Sequence, residues 1–275
     1  MTLYGITGST GKLGVAVARA LSEAGRRQRL IVRDASRAPT IVDTEVAVAD
    51  YGDLDASTSA LQGVDVLFMV SGSEAPDRRE QHRTFIAAAL AAGVRHLVYT
   101  SFVGAGEDAV FTLGRDHGDA EAALAESGLV TTILRDNFYL DYFPVFADEA
   151  GVIRGPADDG RVAAVARADV ADAAAAVLLD SAAHEGAVYE LTGGEAISFP
   201  EAVERMARKL GRPFSFINET VEEAYASRAV YTDEKFLLDA WVSTYTAIAQ
   251  GTVDRVTDDV ARLAGHAPRR LEDVL

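Results

Sequence analysis

A short β-prone run at residues 3–7 is followed at once by Gly8-Ser-Thr-Gly11-Lys-Leu-Gly14, and then by residues 13–24, whose apolar side chains recur at helical spacing until Gly25. Three glycines at a strand-to-helix junction cost conformational entropy that an ordinary turn does not require. They make sense if something must approach the backbone closely. Gly8 permits the tight turn, Gly11 lets a diphosphate reach the free N–H groups of the helix N-terminus, and Gly14 lets the helix pack on the strand. Ser9, Thr10 and Lys12 can add polar contacts. The turn predicts a dinucleotide-binding α/β protein.

The remaining pattern agrees. Strand-like runs at 29–32, 45–49, 64–70, 96–101 and 130–134 alternate with helical runs at 54–61, 76–92 and 116–127, joined by short connections. That rhythm implies βαβ crossovers and a doubly wound parallel sheet of Rossmann type, with ligands at the carboxyl ends of the strands. After residue 137 the pattern changes. Asn137-Phe-Tyr-Leu-Asp-Tyr-Phe-Pro144 is aromatic and irregular. Helices follow at 166–181, 198–210, 220 onward, 232–250 and 257–264, with one strand at 186–191. Ser198…Glu201 and Thr220…Glu223 have the form of capping boxes. We therefore expect a dinucleotide-binding domain over 1–150, rejoined by part of 161–192, and a smaller, mostly helical substrate lobe over 151–275.

Composition narrows the function. The formal charge of −16 argues against a phosphate-backbone partner, so no nucleic acid is expected. There is no cysteine, which excludes disulfides and thiolate chemistry. The histidines show no metal spacing with carboxylates, so no metal is expected. No apolar run approaches the ~20 residues of a membrane span, and no signal peptide opens the chain. A cytoplasmic location is the expectation, with a homodimer left open.

The choice of dinucleotide lies at the end of the second strand, Val32-Arg33-Asp34. A basic residue there favours the 2′-phosphate of NADP, and an acidic one favours the ribose hydroxyls of NAD. Arg33 can reach the phosphate and Arg37 can assist. Asp34 argues the other way if it faces the ligand. NADP(H) is the favoured cofactor.

Thr7–Gly14, Val32-Arg-Asp34, Ala49-Asp-Tyr-Gly-Asp53, Gln81-His82, Ala92-Gly-Val-Arg-His96 and Tyr99-Thr-Ser101 recur in the order seen in a known family. The chain resembles the NmrA-like atypical short-chain dehydrogenases, and within them the subgroup of NADPH-dependent quinone oxidoreductases and triphenylmethane reductases. The resemblance implies that Gly8, Ser9, Thr10, Gly11, Lys12 and Leu13 contact the pyrophosphate, and that Arg33 takes the 2′-phosphate. It implies that Asp50 and Tyr51 border the adenine, and that Val70, Ser71 and Gly72 lie along the nicotinamide-side ribose. Tyr99, Thr100 and Ser101 would end a strand beside the reaction site, with Asn137, Phe138 and Tyr139 near nicotinamide and substrate.

One departure matters. Short-chain dehydrogenases of the usual kind use a Tyr-x-x-x-Lys pair, in which the lysine lowers the tyrosine pKa and holds the nicotinamide ribose. This chain has three lysines, Lys12, Lys209 and Lys235, and only the first lies in the cofactor domain. The literal match Tyr231-Thr-Asp-Glu-Lys235 falls in the helical lobe. Ketone reduction, which places a full negative charge on oxygen, is therefore disfavoured. A quinone spreads that charge, and a cationic triarylmethane needs no proton, so proximity supplies most of the catalysis. His117 and Tyr139 are the candidate catalytic groups. Tyr142, in the cluster with Phe138, Phe143 and Phe146, suits a flat acceptor. The expected activity is NADPH-dependent reduction of a quinone-like acceptor. A non-catalytic NADP(H) sensor is the alternative, and a nucleotide-sugar epimerase a more distant one.

Overall fold

The computed structural model describes residues 2–275. In chain order its elements are β1 (Tyr4–Ile6), α1 (Lys12–Glu23), β2 (Gln28–Val32), β3 (Thr44–Val48), α2 (Leu54–Leu61), β4 (Val66–Met69), α3 (Arg78–Ala91), β5 (His96–Phe102), α4 (Thr112–Ser127) and β6 (Val130–Asp136). They continue with β7 (Val152–Gly155), α5 (Arg167–Leu179), β8 (Val188–Leu191), α6 (Phe199–Leu210), β9 (Ser215–Asn218), α7 (Val221–Arg228), α8 (Lys235–Ala249) and α9 (Asp259–Ala264).

Seven strands form one sheet in the order β3-β2-β1-β4-β5-β6-β8. The pairs β1–β2, β2–β3, β1–β4 and β4–β5 are parallel. The order reverses between β1 and β4, the switch point at which doubly wound sheets bind dinucleotides. β4 and β5 are buried along their whole length: β4 is apolar throughout, and the polar His96, Thr100 and Ser101 of β5 are buried with hydrogen-bond partners. Leu67, Leu97 and Tyr99 from these strands pack with Leu61 of α2, Phe85 and Ala89 of α3 and Leu124 of α4 in one core. Each fully buried Leu or Phe in it contributes about 2–3 kcal/mol.

The chain divides into two compact units. The first comprises Met1–Phe102, Asp116–Arg135 and Val170–Tyr189; the second comprises Val103–Arg115, Asp136–Asp169 and Glu190–Leu275. The return of Val170–Tyr189 to the first unit falls within the expected 161–192, whereas the chain leaves that unit at 135/136 rather than near 150, and the short segment 103–115 belongs to the second. That second unit contains a two-stranded parallel sheet, β7 with β9. Its aromatic core stacks Phe199 against both Phe216 and Tyr245, each with ring centroids 5.1 Å apart. Both capping boxes form, Ser198 with Glu201 at the start of α6 and Thr220 with Glu223 at the start of α7. Among the described residues, no helix is long and apolar enough to cross a membrane.

Candidate active site

The glycine turn has the geometry of an anion cradle. Gly8 is left-handed at φ 61°, and a Cβ there would lie 2.8 Å from Val70 Cβ. A Cβ on Gly14 would stand 2.4 Å from the Gly8 carbonyl oxygen, so only glycine lets α1 approach this closely. Gly11 is the N-cap of α1, yet no side chain caps the helix and no acidic residue occupies its first turn. The N-terminal N–H groups and the positive end of the helix dipole are thus unopposed. Gly8, Thr10, Gly11 and Lys12 are exposed, whereas Leu13 is buried and anchors the helix in the core. The Ser9 hydroxyl is buried and has no hydrogen-bond partner. An orphaned hydroxyl in such a turn fits a phosphate oxygen as its missing partner.

At the end of β2, Arg33 is exposed, and among the described residues it makes no ion pair. Asp34 is turned to another task. Its carboxylate accepts hydrogen bonds from the Ser36 backbone N–H at 2.9 Å and the Ser36 hydroxyl at 2.7 Å, capping the short 3₁₀ helix Ala35–Arg37. These bonds from Ser36 hold its pKa below the ordinary carboxylate value, assisted by the Arg37 charge. The conflict between Arg33 and Asp34 is resolved by this local cap, which leaves the guanidinium as the available group. Turn, uncapped helix, orphaned hydroxyl and free guanidinium together fit a 2′-phosphorylated dinucleotide.

Beyond the switch point a buried hydrogen-bond network braces the ends of β4 and β5. The Tyr51 hydroxyl lies 2.6 Å from both the Thr7 hydroxyl and the Val70 carbonyl oxygen, and its ring stacks on Phe85 at 4.1 Å. Burial raises the Tyr51 pKa well above that of a free phenol. The Ser71 N–H donates to Thr100 Oγ1 at 2.8 Å, locking the two strand ends together. The Gly72 N–H donates to His82 Nε2 at 2.8 Å, and Arg78 Nε donates to the Gly72 carbonyl at 2.9 Å. Ser101 donates to Glu121, which also receives Arg135 Nε at 2.9 Å and Nη2 at 2.6 Å. Asp50 is exposed, with Oδ1 accepting the Gly52 N–H at 3.0 Å.

His117 lies inside α4, which begins at Thr112, four residues before the expected start. Its Nε2 is 3.0 Å from Arg78 Nη2 and its Nδ1 is 3.0 Å from the Tyr99 hydroxyl. A guanidinium only donates, so Nε2 accepts and the ring proton sits on Nδ1. Burial, then the Arg78 charge, depresses the His117 pKa well below its ordinary value. The imidazole is therefore a neutral link in a buried chain of hydrogen bonds. His82 is likewise neutral. Burial first and Arg78 second push its pKa down to about 3. Its Nδ1 is buried without a partner, an arrangement that costs about 1–3 kcal/mol.

The remaining candidates belong to the second unit. Asn137 spends its side chain on the backbone: Nδ2 donates to the Val253 carbonyl at 2.9 Å and Oδ1 accepts the Phe138 N–H at 2.8 Å. The Tyr139 hydroxyl donates to Asp136. Burial, reinforced by the Asp136 charge, raises the Tyr139 pKa well above 10, so this phenol holds its proton tightly. The Arg167 guanidinium lies over the Tyr139 and Tyr142 rings at 5.3 and 4.9 Å. Phe138 meets Phe111 edge-on at 5.0 Å, and Tyr142 is 44% exposed. The literal Tyr-x-x-x-Lys match does not form a pair. Tyr231 is 75% exposed, and Lys235 Nζ is bound to Asp239 at 2.7 Å.

Several site residues thus have their polar atoms engaged within the protein. Tyr51, Tyr99, Ser101 and Asn137 brace the framework with the groups that had been assigned to ligands. Arg78 was missed as a site residue. The only sequence signal was its position one helical turn before His82 on α3.

Residues 8–181 match the family model described as NAD(P)H-binding. Quinone oxidoreductase 2 of Escherichia coli is 34% identical over 98% of this chain and 96% of its own length. Its crystal structure in complex with NADPH superposes with a TM-score of 0.90, covering 98% of this chain and 97% of that one. The NAD(P)H azoreductase of Xenophilus azovorans is 29% identical over 96% of this chain and 93% of its own length. The Citrobacter sp. triphenylmethane reductase complexed with NADP(H) is 28% identical with a TM-score of 0.86, covering 100% of this chain and 99% of that one. The chain belongs to the NAD(P)H-binding, NmrA-like family of Rossmann-type oxidoreductases.

Proposed function

We propose that this protein is an NADPH-dependent oxidoreductase that delivers hydride to a quinone or a similarly conjugated acceptor. The observation that carries this reading is the pairing of an uncapped, glycine-lined helix N-terminus with the free Arg33 guanidinium, beside an Asp34 already spent on Ser36. NADPH, when bound, supplies the hydride. The backbone from Gly8 to Leu13, with the Ser9 hydroxyl and Lys12, holds the diphosphate, and Arg33 forms a charge-assisted bond to the 2′-phosphate. Asp50 borders the adenine. Val70, Ser71 and Gly72 form the backbone against the nicotinamide half. Phe138 and Tyr142 offer aromatic surface to a flat acceptor.

The proton inventory fits an acceptor of this kind. His117 is neutral, Tyr139 keeps its proton and donates it in a hydrogen bond to Asp136, and Lys235 is bound to Asp239. A quinone gains hydride as a delocalised anion that solvent protonates, giving one hydroquinone and one NADP⁺ for each quinone, NADPH and proton consumed. The protein's contribution is then alignment of donor and acceptor, rather than acid catalysis.

Steady-state oxidation of NADPH and NADH with a panel of quinones tests the assignment. Arg33→Ala is expected to raise KM for NADPH about 10–100-fold, the loss of one charge-assisted bond, with little change in kcat and none in the NADH parameters. Equal use of NADH and NADPH by the wild type, or no effect of Arg33→Ala, would remove the 2′-phosphate contact from the account.

A further inference from the structure

Gly72 follows β4 by three residues, on the opposite side of the order reversal from β2 and β3. In a doubly wound sheet the two halves of a dinucleotide lie on either side of that reversal. With Arg33 marking the adenosine side, the nicotinamide side falls over the ends of β4 and β5; this step rests on the function proposed above.

The Gly72 backbone is held at both its N–H and its carbonyl, the polar atoms of two successive peptide units, by side chains one turn apart on α3. His82 Nε2 accepts its N–H at 2.8 Å, and Arg78 Nε donates to its carbonyl at 2.9 Å. Both side chains are buried, Arg78 at 3% and His82 at 0% exposure. Arg78 further reaches His117 Nε2 at 3.0 Å and Asp116 Oδ2 at 3.4 Å, and His117 continues to Tyr99 on β5. The clamp is therefore tied to the neighbouring strand. A Cβ on Gly72 would stand 3.3 Å from His82 Nε2, so the fit leaves no spare room. The second observation is the orphaned Nδ1–H of His82. A residue needed only for packing would be apolar. The fold tolerates an unsatisfied buried donor in order to place an acceptor against the Gly72 N–H.

We propose that Arg78 and His82 are positioning residues for hydride transfer, which fix the Gly72 peptide as a backbone platform for the nicotinamide-side ribose. The clamp does by backbone what the lysine of a Tyr-x-x-x-Lys pair does by side chain, and it accounts for how this chain orients nicotinamide with no lysine in that part of the sheet.

Titration calorimetry with two ligands tests it. NADP⁺ carries both halves of the dinucleotide, and 2′,5′-ADP carries only the adenosine half. His82→Leu and Arg78→Met are expected to weaken NADP⁺ by about tenfold or more, the loss of one buried hydrogen bond, while 2′,5′-ADP binding stays within about twofold. His82→Gln, which keeps an acceptor near the Nε2 position, should recover most of the NADP⁺ affinity and the kcat lost in His82→Leu. Gly72→Ala, which crowds the clamp without removing either side chain, should show the same selective loss and serves if the buried substitutions fail to fold. Equal weakening of both ligands, or no weakening of NADP⁺, overturns the clamp. Failure of the wild type to bind NADP⁺ at all overturns the cofactor reading beneath it, a result seen before any variant is made.

Discussion

Single atoms decide which dinucleotide and which chemistry the site suits. Arg33 stood out in the sequence because a basic residue at the end of β2 suits a 2′-phosphate. The role of Asp34 did not, since its commitment to Ser36 depends on a 3₁₀ turn too short to leave a periodic signal. His117 was visible as a titratable group near the reaction site. Its neutralisation was not, because its main cause, burial, and its second, the Arg78 charge 39 residues away in sequence, both arise from tertiary packing. Two outcomes follow at this scale. Gly14→Ala forces a Cβ to within 2.4 Å of the Gly8 carbonyl oxygen. It should cost about 1–3 kcal/mol in urea unfolding and abolish measurable NADPH binding. The second concerns pH. The folded-state pKa of His82 is depressed to about 3 from an unfolded value of 6.5. Between those values the unfolded chain binds the extra proton. Stability is therefore complete above pH 6.5 and falls as pH drops toward 3, by about 1.4 kcal/mol per pH unit for this one group. His82→Gln should remove one proton from the slope of unfolding free energy against pH in that window. An unchanged slope would show that His82 is not held neutral.

Among the elements, the alternation of strands and helices through residue 134 was readable because the apolar runs are long and the helix stops are glycines. Strand ends moved by a residue or two, and α4 began four residues early because residues 112–115 extend the helix before the expected Asp116. The pair β7 and β9 escaped notice: each strand has four residues, and they pair with each other across more than fifty residues of chain. The aromatic stretch after residue 137 proved to be a 3₁₀ helix, Leu140–Phe146, that contains Pro144, a residue that disfavours a continuous α-helix. The capping boxes were legible because their chemistry is local. Ser198→Ala should lower stability by about 1 kcal/mol through loss of the cap on α6, read from the urea midpoint at constant slope.

Across the whole molecule, the scarcity of lysine has the largest functional consequence. The unit that carries β5 holds one lysine, Lys12 in the glycine turn; Lys209 is exposed in the last turn of α6 and Lys235 is bound to Asp239. His117, bonded to Tyr99 of β5, is neutral, and in the second unit Tyr139 retains its proton. The proposed reaction suits acceptors that stabilise their own negative charge, for which alignment of donor and acceptor supplies the catalysis. Single-turnover mixing of the NADPH-loaded protein with a quinone tests this most directly. The account predicts loss of the reduced-nicotinamide absorbance with one hydroquinone formed per NADP⁺, slowed several-fold when the transferred hydrogen is deuterium, and with a rate that shows no titration near pH 6.5. Persistence of bound, unoxidised NADPH through quinones, azo dyes and triarylmethane dyes alike would contradict it and leave a protein that binds the dinucleotide without spending it.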